Sequence, residues 1–307
     1  MSLEIRRATH DDYEAVVELT SDVWADRGGD YIPRIYHDWL EDDDEPHRKT
    51  LLAEVDGEVA GLVQAVMLSS DEAWFQGMRV APEHRRVGVS ERLNDACFAW
   101  ARERDATVGR IIVFSWNVAA LGAARAGGYE PVTEFRWAYP GPDPDATGPL
   151  EVVSDPSVAW RYWTDSDART RLRGLALDPD ESWALRELTR RDLERLAAET
   201  AVFAVVGDRG VSGMTYRVRT VEREVDGETE TWAEYGVGAW DDLESARTLC
   251  AVVSRDAGEL AVDGARMLLP ETAASVTDAA YVCETVSEEA DFVLEVDLTG
   301  YTAGRTS

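Results

Sequence analysis

The chain of 307 residues predicts an α/β (α+β) protein of two modules, and three observations carry that prediction. Strand-like and helix-like stretches follow one another through residues 3–139 in the order β-α-α-β-β-β-α-β-α-β. A run of Pro, Gly and Asp at 140–149 then interrupts the pattern, as a linker does. Beyond it a comparable succession comes round again. An apolar content of 45% and eleven tryptophans give each half enough side-chain surface for a core of its own.

The elements read in order along the chain. Leu3–Arg7 is a strand, and a helix starts after Thr9-His10-Asp11, with Tyr13, Val16, Val17 and Val23 near helical spacing. A second helix holds Ile32, Ile35, Tyr36 and Trp39. Leu51–Val55 and Val59–Leu68 form a hairpin turned by Asp56-Gly57. The strand Trp74–Val80 runs through Pro82-Glu83 into an Arg-rich loop and a helix from Glu91 to Arg104. Arg110–Ser115 is the next strand, Val118–Ala126 a short helix ended by Gly127-Gly128, and Thr133–Tyr139 the last strand of this half. In the second half Trp183–Ala198 reads as a helix. Phe203–Met214 reads as two strands around a polar turn, an echo of Leu52–Leu62. A strand (Thr231–Gly236), a helix (Leu243–Glu259), a strand (Ala265–Leu269), a helix (Ala273–Cys283) and a strand (Phe292–Leu298) complete it.

The most informative stretch is Met78-Arg79-Val80-Ala81-Pro82-Glu83-His84-Arg85-Arg86-Val87-Gly88-Val89-Ser90. A glycine loop at a helix N-terminus turns backbone N–H groups outward, with about half a positive charge of helix dipole behind them. Such a place suits a phosphate or pyrophosphate. No G-x-x-x-x-G-K-[ST] occurs, no G-x-G-x-x-G opens a strand-to-helix turn, and the one lysine, Lys49, is remote. The bland alternative is an ordinary turn with solvated arginines. Arg85-x-x-Gly88-x-Ser90, set between Met-x-Val-x-Pro-Glu and an amphipathic helix, resembles the acyl-CoA pyrophosphate loop of the Gcn5-related N-acetyltransferase (GNAT) family. The resemblance covers about residues 3–139.

That resemblance implies tandem GNAT-like domains, each a mixed, mostly antiparallel sheet flanked by helices, with splayed central strands in the first. Residues 1–140 are then the acetyltransferase domain, 141–150 a linker and 151–307 a degenerate GNAT-like domain. In the second module Gly236-Val237-Gly238-Ala239-Trp240-Asp241-Asp242 stands where the loop belongs, and two carboxylates at a helix start oppose a pyrophosphate. The resemblance further implies acetyl-CoA as co-substrate and no metal. By the family pattern, the backbone of Met78 and Val80 pairs with the pantetheine arm. Val87, Gly88, Val89 and Ser90 cradle the pyrophosphate beside Arg85 and Arg86. Ser90 replaces the family's usual Gly or Ala, so its hydroxyl either adds a donor or crowds the site. Asn117, with Ala120 and a closing Gly128-Tyr129, matches the family's N-x-x-A. Its implied role is to bond the cofactor arm, and a helix cap is an equally good reading.

Two family parts are absent. Ala124 stands seven residues past Asn117, where a Tyr commonly protonates the departing thiolate, and the strand before the loop reads Trp74-Phe75-Gln76-Gly77, without a carboxylate. Glu72, Asp71 and Glu54 are the nearest acids by strand position, as candidates for a water-relayed base or as plain surface acids. A lysine-like amine of pKa about 10.4 costs roughly 4.6 kcal/mol to deprotonate at neutral pH, an α-amine only about 1 kcal/mol. A thiolate of pKa about 8.5 is protonated by bulk water with little penalty. Direct attack of a positioned small amine therefore remains feasible without a strong base. Trp24, Tyr31, Tyr36 and Trp39 either line an acceptor pocket or pack a core. The form Gly77-Met78-Arg79-Val80-x-Pro82-Glu83 is also similar to that of vertebrate acetyltransferases that modify free histidine, which implies a small amino-acid-like acceptor.

Sixty Asp and Glu against 31 Lys and Arg leave a formal net charge of −29, spread over both halves. Uniform acidity with a single lysine resembles cytoplasmic proteins of extremely halophilic archaea. The lack of a basic stripe argues against nucleic acid. The lack of an apolar N-terminal region and of any run of about 18 apolar residues argues against a membrane. The run Glu41-Asp42-Asp43-Asp44-Glu45 reads as a solvated loop rather than a metal site, and the four histidines form no metal spacing. Cys97, Cys250 and Cys283 lie far apart in apolar helical patterns and read as small core thiols in a reducing compartment. The expected protein is cytoplasmic, a monomer or homodimer, acting on a small-molecule amine. The rival reading is a non-catalytic acyl-CoA-binding regulatory protein, favoured by Ala124 and Gln76-Gly77, and a third is an interaction scaffold without cofactor.

Overall fold

The computed structural model describes residues 2–24, 29–41, 47–225 and 228–300. Most of the acidic run, residues 42–45, lies outside the described residues. The first elements are β1 (Leu3–Arg7), α1 (Tyr13–Thr20), α2 (Ile32–Glu41), β2 (Arg48–Val55), β3 (Glu58–Met67), β4 (Glu72–Val80), α3 (Val89–Arg102), β5 (Val108–Phe114), α4 (Val118–Ala126) and β6 (Glu130–Tyr139). They continue with β7 (Glu151–Val153), α5 (Pro156–Asp165), α6 (Asp167–Arg171), β8 (Leu175–Leu177), β9 (Leu185–Glu187), α7 (Arg190–Glu199), β10 (Ala201–Gly207) and β11 (Gly210–Val225). The last are β12 (Glu228–Val237), β13 (Ala239–Trp240), α8 (Leu243–Glu259), β14 (Gly264–Pro270), α9 (Ala273–Val282), β15 (Thr285–Val286) and β16 (Asp291–Asp297).

Chain contacts divide the molecule into two compact units. One holds the described residues up to Ile112, Asn117–Pro131 and those from Leu294 on, and the other holds Val113–Trp116 and Val132–Val293. The units therefore interleave along the chain, unlike the sequential division 1–140, 141–150 and 151–307. Nearly all of β6 is counted with the second unit, and the end of β16 with the first.

In unit 1, β1 to β4 are joined by antiparallel pairings in the order β1-β2-β3-β4, and β5 runs parallel to β4. The hairpin turn forms because Asp56 and Gly57 both take positive φ, 52° and 93°, the geometry that suits the right-handed twist of the flanking strands. On one face α2 buries Ile32, Tyr36 and Trp39 against Val16, Leu52 and Leu62. Helix α3 buries Val89, Leu93, Cys97 and Phe98. It seats closely on β3 because residue 61 is glycine: a Cβ there would stand 3.0 Å from Val89 and 3.1 Å from Leu93.

In unit 2, β10 pairs antiparallel with β7 and β11, β11 with β12, and β14 lies parallel to β12 and antiparallel to β6. Helix α8 covers this sheet with Leu249, Val252, Val253 and Ala257 against Val205, Tyr235 and Met267. The Pro-Gly stretch expected as a linker packs on α8: Asp143 N donates to Ser254 O at 2.9 Å and Leu150 N to Thr248 Oγ1 at 3.2 Å. The helix expected at Trp183–Ala198 begins only at Arg190, because Leu185–Glu187 pairs with Leu175–Leu177 and Thr189 caps the helix behind it. Cys250 and Cys283 form a disulfide between α8 and the end of α9, so two of the three expected free thiols are paired; Cys97 is free and buried.

One local motif occurs in both units. Arg6 donates through Nη1 and Nη2 to Asp12 and through Nε to Glu54, while Thr9 N and Oγ1 donate to the same Asp12 carboxylate. Arg186 donates through Nη1 and Nη2 to Asp192 and through Nε to Asp178, while Thr189 N and Oγ1 donate to Asp192. The spacing is Arg-x-x-Thr-x-x-Asp in each case, at the end of a strand and the start of a helix. The side-chain bond from Arg6 is the main force holding the Asp12 carboxyl down at about 2. Its stabilising effect is therefore present above the unfolded value of about 3.8 and is lost as pH falls through 2. Asp12→Asn is expected to cost on the order of 1–2 kcal/mol at pH 7, after discounting for solvent screening. The gap from wild type closes between pH 4 and 2, as read by urea denaturation at constant salt.

Candidate functional site

The site starts from a failure of strand pairing. β4 and β5 meet only at Glu72–Val108, Ala73–Gly109 and Trp74–Arg110; from Phe75 on, β4 has no partner on the β5 side. On its other edge β4 stays paired with β3, but Val63 opposes both Gly77 and Met78, a β-bulge, and Gly77 sits at φ 67°. Such a bulge bends the strand and sharpens its twist. Only glycine serves at 77, since φ is positive and a Cβ would run into the Trp39 ring. The strands thus part where Met78 and Val80 lie, and the gap is bordered by β4 backbone with half-buried side chains.

The loop closes one end of this gap. Pro82–His84 makes a turn of 3-10 helix, Arg86 takes φ 63°, and Gly88 takes φ 89° as the residue before α3. No side chain caps α3, and the space above Gly88 is open: a Cβ there would meet nothing within 4 Å. Arg85 and Arg86 are exposed, and among the described residues neither forms an ion pair. Arg85 only reaches back to Val80 O at 3.4 Å. Val87 is exposed, Val89 is buried as the first anchor of α3, and Ser90 is half-buried. The N-terminus of α3 therefore offers backbone donors, dipole and two unpaired guanidinium groups to an anion.

Helix α8 in unit 2 is the contrast. Asp242 caps it, accepting from Ser245 N at 2.9 Å and Ser245 Oγ at 2.8 Å, and Asp241 accepts from Tyr162 Oη at 2.9 Å. The Ser245 amide holds the Asp242 carboxyl below its usual range, so the position stays charged. An anion finds this helix end already filled.

Asn117 is the cap of α4: its Oδ1 accepts from Ala120 N at 3.1 Å. The helix-cap reading is thereby realised, and the amide nitrogen remains available for a second role. Ala124 is buried on α4. The carboxylate candidates do not converge on the gap. Glu72 lies at the closed end, buried and ion-paired with Arg110, whose Nε also reaches Glu295 at 3.2 Å. Six residues of strand, roughly 20 Å, separate it from Met78. Glu54 belongs to the Arg6 clamp, and Asp71 takes bonds from Ser69 and Ser70 on the surface.

The four aromatic residues divide into two pairs. Tyr36 and Trp39 are core, the first bonded to Thr9 O at 2.8 Å and the second over Gly77. Trp24 and Tyr31 are half-buried and flank Arg79, whose guanidinium lies 4.4 Å from the Trp24 centroid and is gripped by Asp30. Sequence reasoning missed a polar chain at the bulge. Gln76 Nε2 donates to Gln64 Oε1 at 2.7 Å, and Gln64 Nε2 donates to Thr50 Oγ1 at 3.1 Å. Its only signal in the sequence is a polar residue, Gln64, in the middle of an otherwise apolar strand.

Comparison with known proteins accords with this geometry. Residues 13–129 match the Acetyltransferase (GNAT) family. The chain is 32% identical over 98 residues to Histidine N-acetyltransferase of Xenopus tropicalis, an alignment covering 32% of this chain. The chain thus spans only 29% of that curated relative. Over nearly its whole length it shares the fold of a GCN5-related N-acetyltransferase from Sphaerobacter thermophilus, with a TM-score of 0.57 and 15% identity, covering 96% of both chains. A structure from Pyrococcus horikoshii matches with a TM-score of 0.51 and 14% identity, covering 96% of this chain and 89% of that one. The match to the GNAT family is confined to residues 13–129, and over the whole chain the likeness to the two solved structures is one of fold. Among the described residues no cluster suited to a metal ion occurs, and no helix is long and apolar enough to cross a membrane.

Two substitutions separate anion binding from stability. Gly88→Asp puts a carboxylate and a Cβ at the uncapped helix end, and any calorimetric binding of a pyrophosphate probe such as CoA there is expected to be lost while circular dichroism stays native. Glu72→Ala strands Arg110 with Glu295 alone and is expected to cost about 3 kcal/mol in urea denaturation. Its effect is on stability; a catalytic defect in a variant of unchanged stability would instead make Glu72 a base.

Proposed function

We propose that the protein is an acetyl-CoA-dependent N-acetyltransferase whose acceptor is a small molecule with an α-amino group, and that its two units descend from a duplicated GNAT module. The observation that carries the first part is the uncapped, sterically open N-terminus of α3 at the end of a gap between β4 and β5. In this reading the N–H groups of Val87, Gly88, Val89 and Ser90, with Arg85 and Arg86, hold the pyrophosphate. The β4 edge at Met78 and Val80 pairs with the pantetheine arm, and the Asn117 amide nitrogen donates to it. Acetyl-CoA supplies a thioester carbonyl; the amine forms a new N–C bond as the C–S bond breaks.

The chain's own residues position and polarise more than they move protons. Among the described residues the parted stretch of β4 carries no carboxylate of its own, Asp30 beside it is held by Arg79, Glu72 is occupied by Arg110, and residue 124 is Ala. An acceptor that is already partly neutral suits such a site. At pH 7 roughly a tenth or more of an α-amine is neutral, against about 0.04% of a lysine side chain. The name of the Xenopus relative points to an amino acid as acceptor, in keeping with this choice. The repeated Arg-x-x-Thr-x-x-Asp clamp and the matching order of elements after it support the duplication. The capped α8 supports one cofactor per chain. The acidic composition accords with a halophilic, cytoplasmic setting, so molar KCl is the buffer of choice.

The test is CoA release against a panel of free amino acids, polyamines and lysine peptides in molar KCl, paired with calorimetry. One acetyl-CoA per chain is expected, with amino acids turned over faster than lysine peptides. The rate should rise with pH through the acceptor's own pKa. Binding without turnover of any amine would favour the regulatory-protein reading. A rate plateau well below the amine pKa would reveal a base.

A further inference from the structure

Arg79 stands in the parted stretch of β4, between Met78 and Val80. Residues 72–75 of that strand are buried, whereas Met78, Arg79 and Val80 are half-buried. The strand therefore becomes accessible after β5 has left it. The Arg79 side chain lies among residues that lead into α2. Its guanidinium stands 4.4 Å from the Trp24 ring centroid and 5.7 Å from that of Tyr31. Nε and Nη2 donate to the two carboxylate oxygens of Asp30 at 2.6 and 3.1 Å, and Nη1 donates to Met78 O at 3.1 Å. Asp30 is fixed in turn, its Oδ1 accepting from Ile32 N at 3.0 Å where α2 begins.

A guanidinium carries five N–H donors. Three of those on Arg79 have acceptors, which leaves one N–H on each terminal nitrogen unmet among the described residues. The side chain keeps 12% of its surface exposed, against 1% for Asp30. The grip of Asp30 on one edge and the nearby Trp24 ring hold the remaining donors in place before any ligand arrives. Fastening the residues before α2 to β4 accounts for the Asp30 edge and the aromatic contacts. It does not account for a partly exposed guanidinium, with two donors to spare, on the strand whose edge is open.

We propose that these two N–H groups hold the α-carboxylate of the acceptor, so that the acceptor is a free α-amino acid and Arg79 is the residue that recognises it. The proposal rests on the reading of β4 as the edge that holds the cofactor arm. A carboxylate presents two oxygens to the two terminal nitrogens of a guanidinium, and paired charge-assisted bonds of this kind fix orientation as well as affinity. Arg79 lies between the two residues whose backbone that reading assigns to the pantetheine arm, so an acceptor held there is held beside the cofactor. Asp30 leaves the pair without net charge. A phosphate dianion thus meets no surplus of positive charge, while an amino acid brings an ammonium group that balances its own carboxylate. The side-chain amine of a peptide lysine has no carboxylate beside it, which gives the choice of α-amines a second cause besides their neutral fraction.

The test measures CoA release from acetyl-CoA by the full chain in molar KCl, with the common L-amino acids and with the primary amide and the decarboxylated amine of each. A carboxylate holds the neighbouring ammonium charged more firmly than an amide does, so neutral fraction alone favours the amide. The best free amino acid is expected to exceed both of its analogues at least about tenfold in kcat/KM, the effect of charge-assisted hydrogen bonds that the analogues cannot make. In Arg79→Gln the acid-to-amide ratio should fall to about one or below, with the change carried by KM. That ratio does not depend on how much of the variant is folded. Arg79→Gln leaves Asp30 buried without its cation. The double variant Arg79→Gln with Asp30→Asn removes both charges, keeps an acceptor for Ile32 N, and should show the same ratio. Amides or amines turned over as fast as the acids, or an acid preference that survives in the double variant, overturns the proposal and leaves acetyl transfer standing. Turnover of no amine at all overturns the reading on which the proposal rests, and the proposal with it.

Discussion

The ladder between β4 and β5 stops after three residue pairs, and the site in unit 1 depends on that interruption. Two parallel strands left to themselves would go on pairing, because each unmade backbone bond in a dry interior costs free energy. What parts them is local. The bulge at Gly77 bends β4 while its other edge stays in register with β3, and Trp39 fills the place where a side chain at 77 would stand. What keeps the closed end from following is the buried pair of Glu72 and Arg110, with Glu295 behind it. Gly109 makes room there for the Phe75 ring. Opening and closure are thus set by neighbouring residues on the same two strands. The open β4 edge is left with backbone groups that call for a partner.

Among the described residues the two longest helices, α3 after β4 and α8 after β12 and β13, have the same N-terminal field, put to different uses. At α3 a glycine precedes the helix, no side chain caps it, and the approach is clear. At α8 an aspartate is the cap and a second aspartate beside it holds Tyr162. A capping carboxylate contributes about 1 kcal/mol to helix stability, so at α8 the helix end is filled by a stabilising cap and not left open to an anion. The clamp, by contrast, is the same in both units: Arg6, Thr9 and Asp12 are matched donor for donor by Arg186, Thr189 and Asp192, while the two helix ends differ.

The sequence disclosed those features that rest on local rules. Asp56-Gly57 can turn only one kind of hairpin, Pro82-Glu83 and Gly88 mark the loop, and α4 and α8 fall on the residues read from periodicity. It concealed those that rest on pairing at a distance. Leu185–Glu187 lies inside a helical pattern, yet Leu175–Leu177 claims it as a strand partner, and the Thr189 cap fixes the true start of α7. Cys250 and Cys283 both sit in helical patterns, and periodicity does not reveal that the two helices approach. Glu72 read as a candidate base because strand position placed it near the loop. Its partner, Arg110, is 38 residues away, and no local pattern announces it. The assignment of β6 and the end of β16 to different units escapes any reading that divides the chain at a linker.

Net charge sets a condition on how such a protein recognises anions. With twice as many acids as bases, the long-range field repels an anionic ligand, and at physiological ionic strength that field reaches about 8 Å. A broad basic patch is not available to counter it. Attraction therefore has to come from groups that act at contact, such as backbone donors at a helix end and the guanidinium groups beside it. Many arginines here are held by carboxylates, as Arg6, Arg79, Arg110, Arg136, Arg186 and Arg217 are. Against that background a guanidinium with donors left over is informative. Among the described residues Arg85 and Arg86 form no ion pair and stand beside the open end of α3. That place combines positive charge with donors fixed by the fold, which is the combination a small anion needs when the rest of the surface opposes its approach.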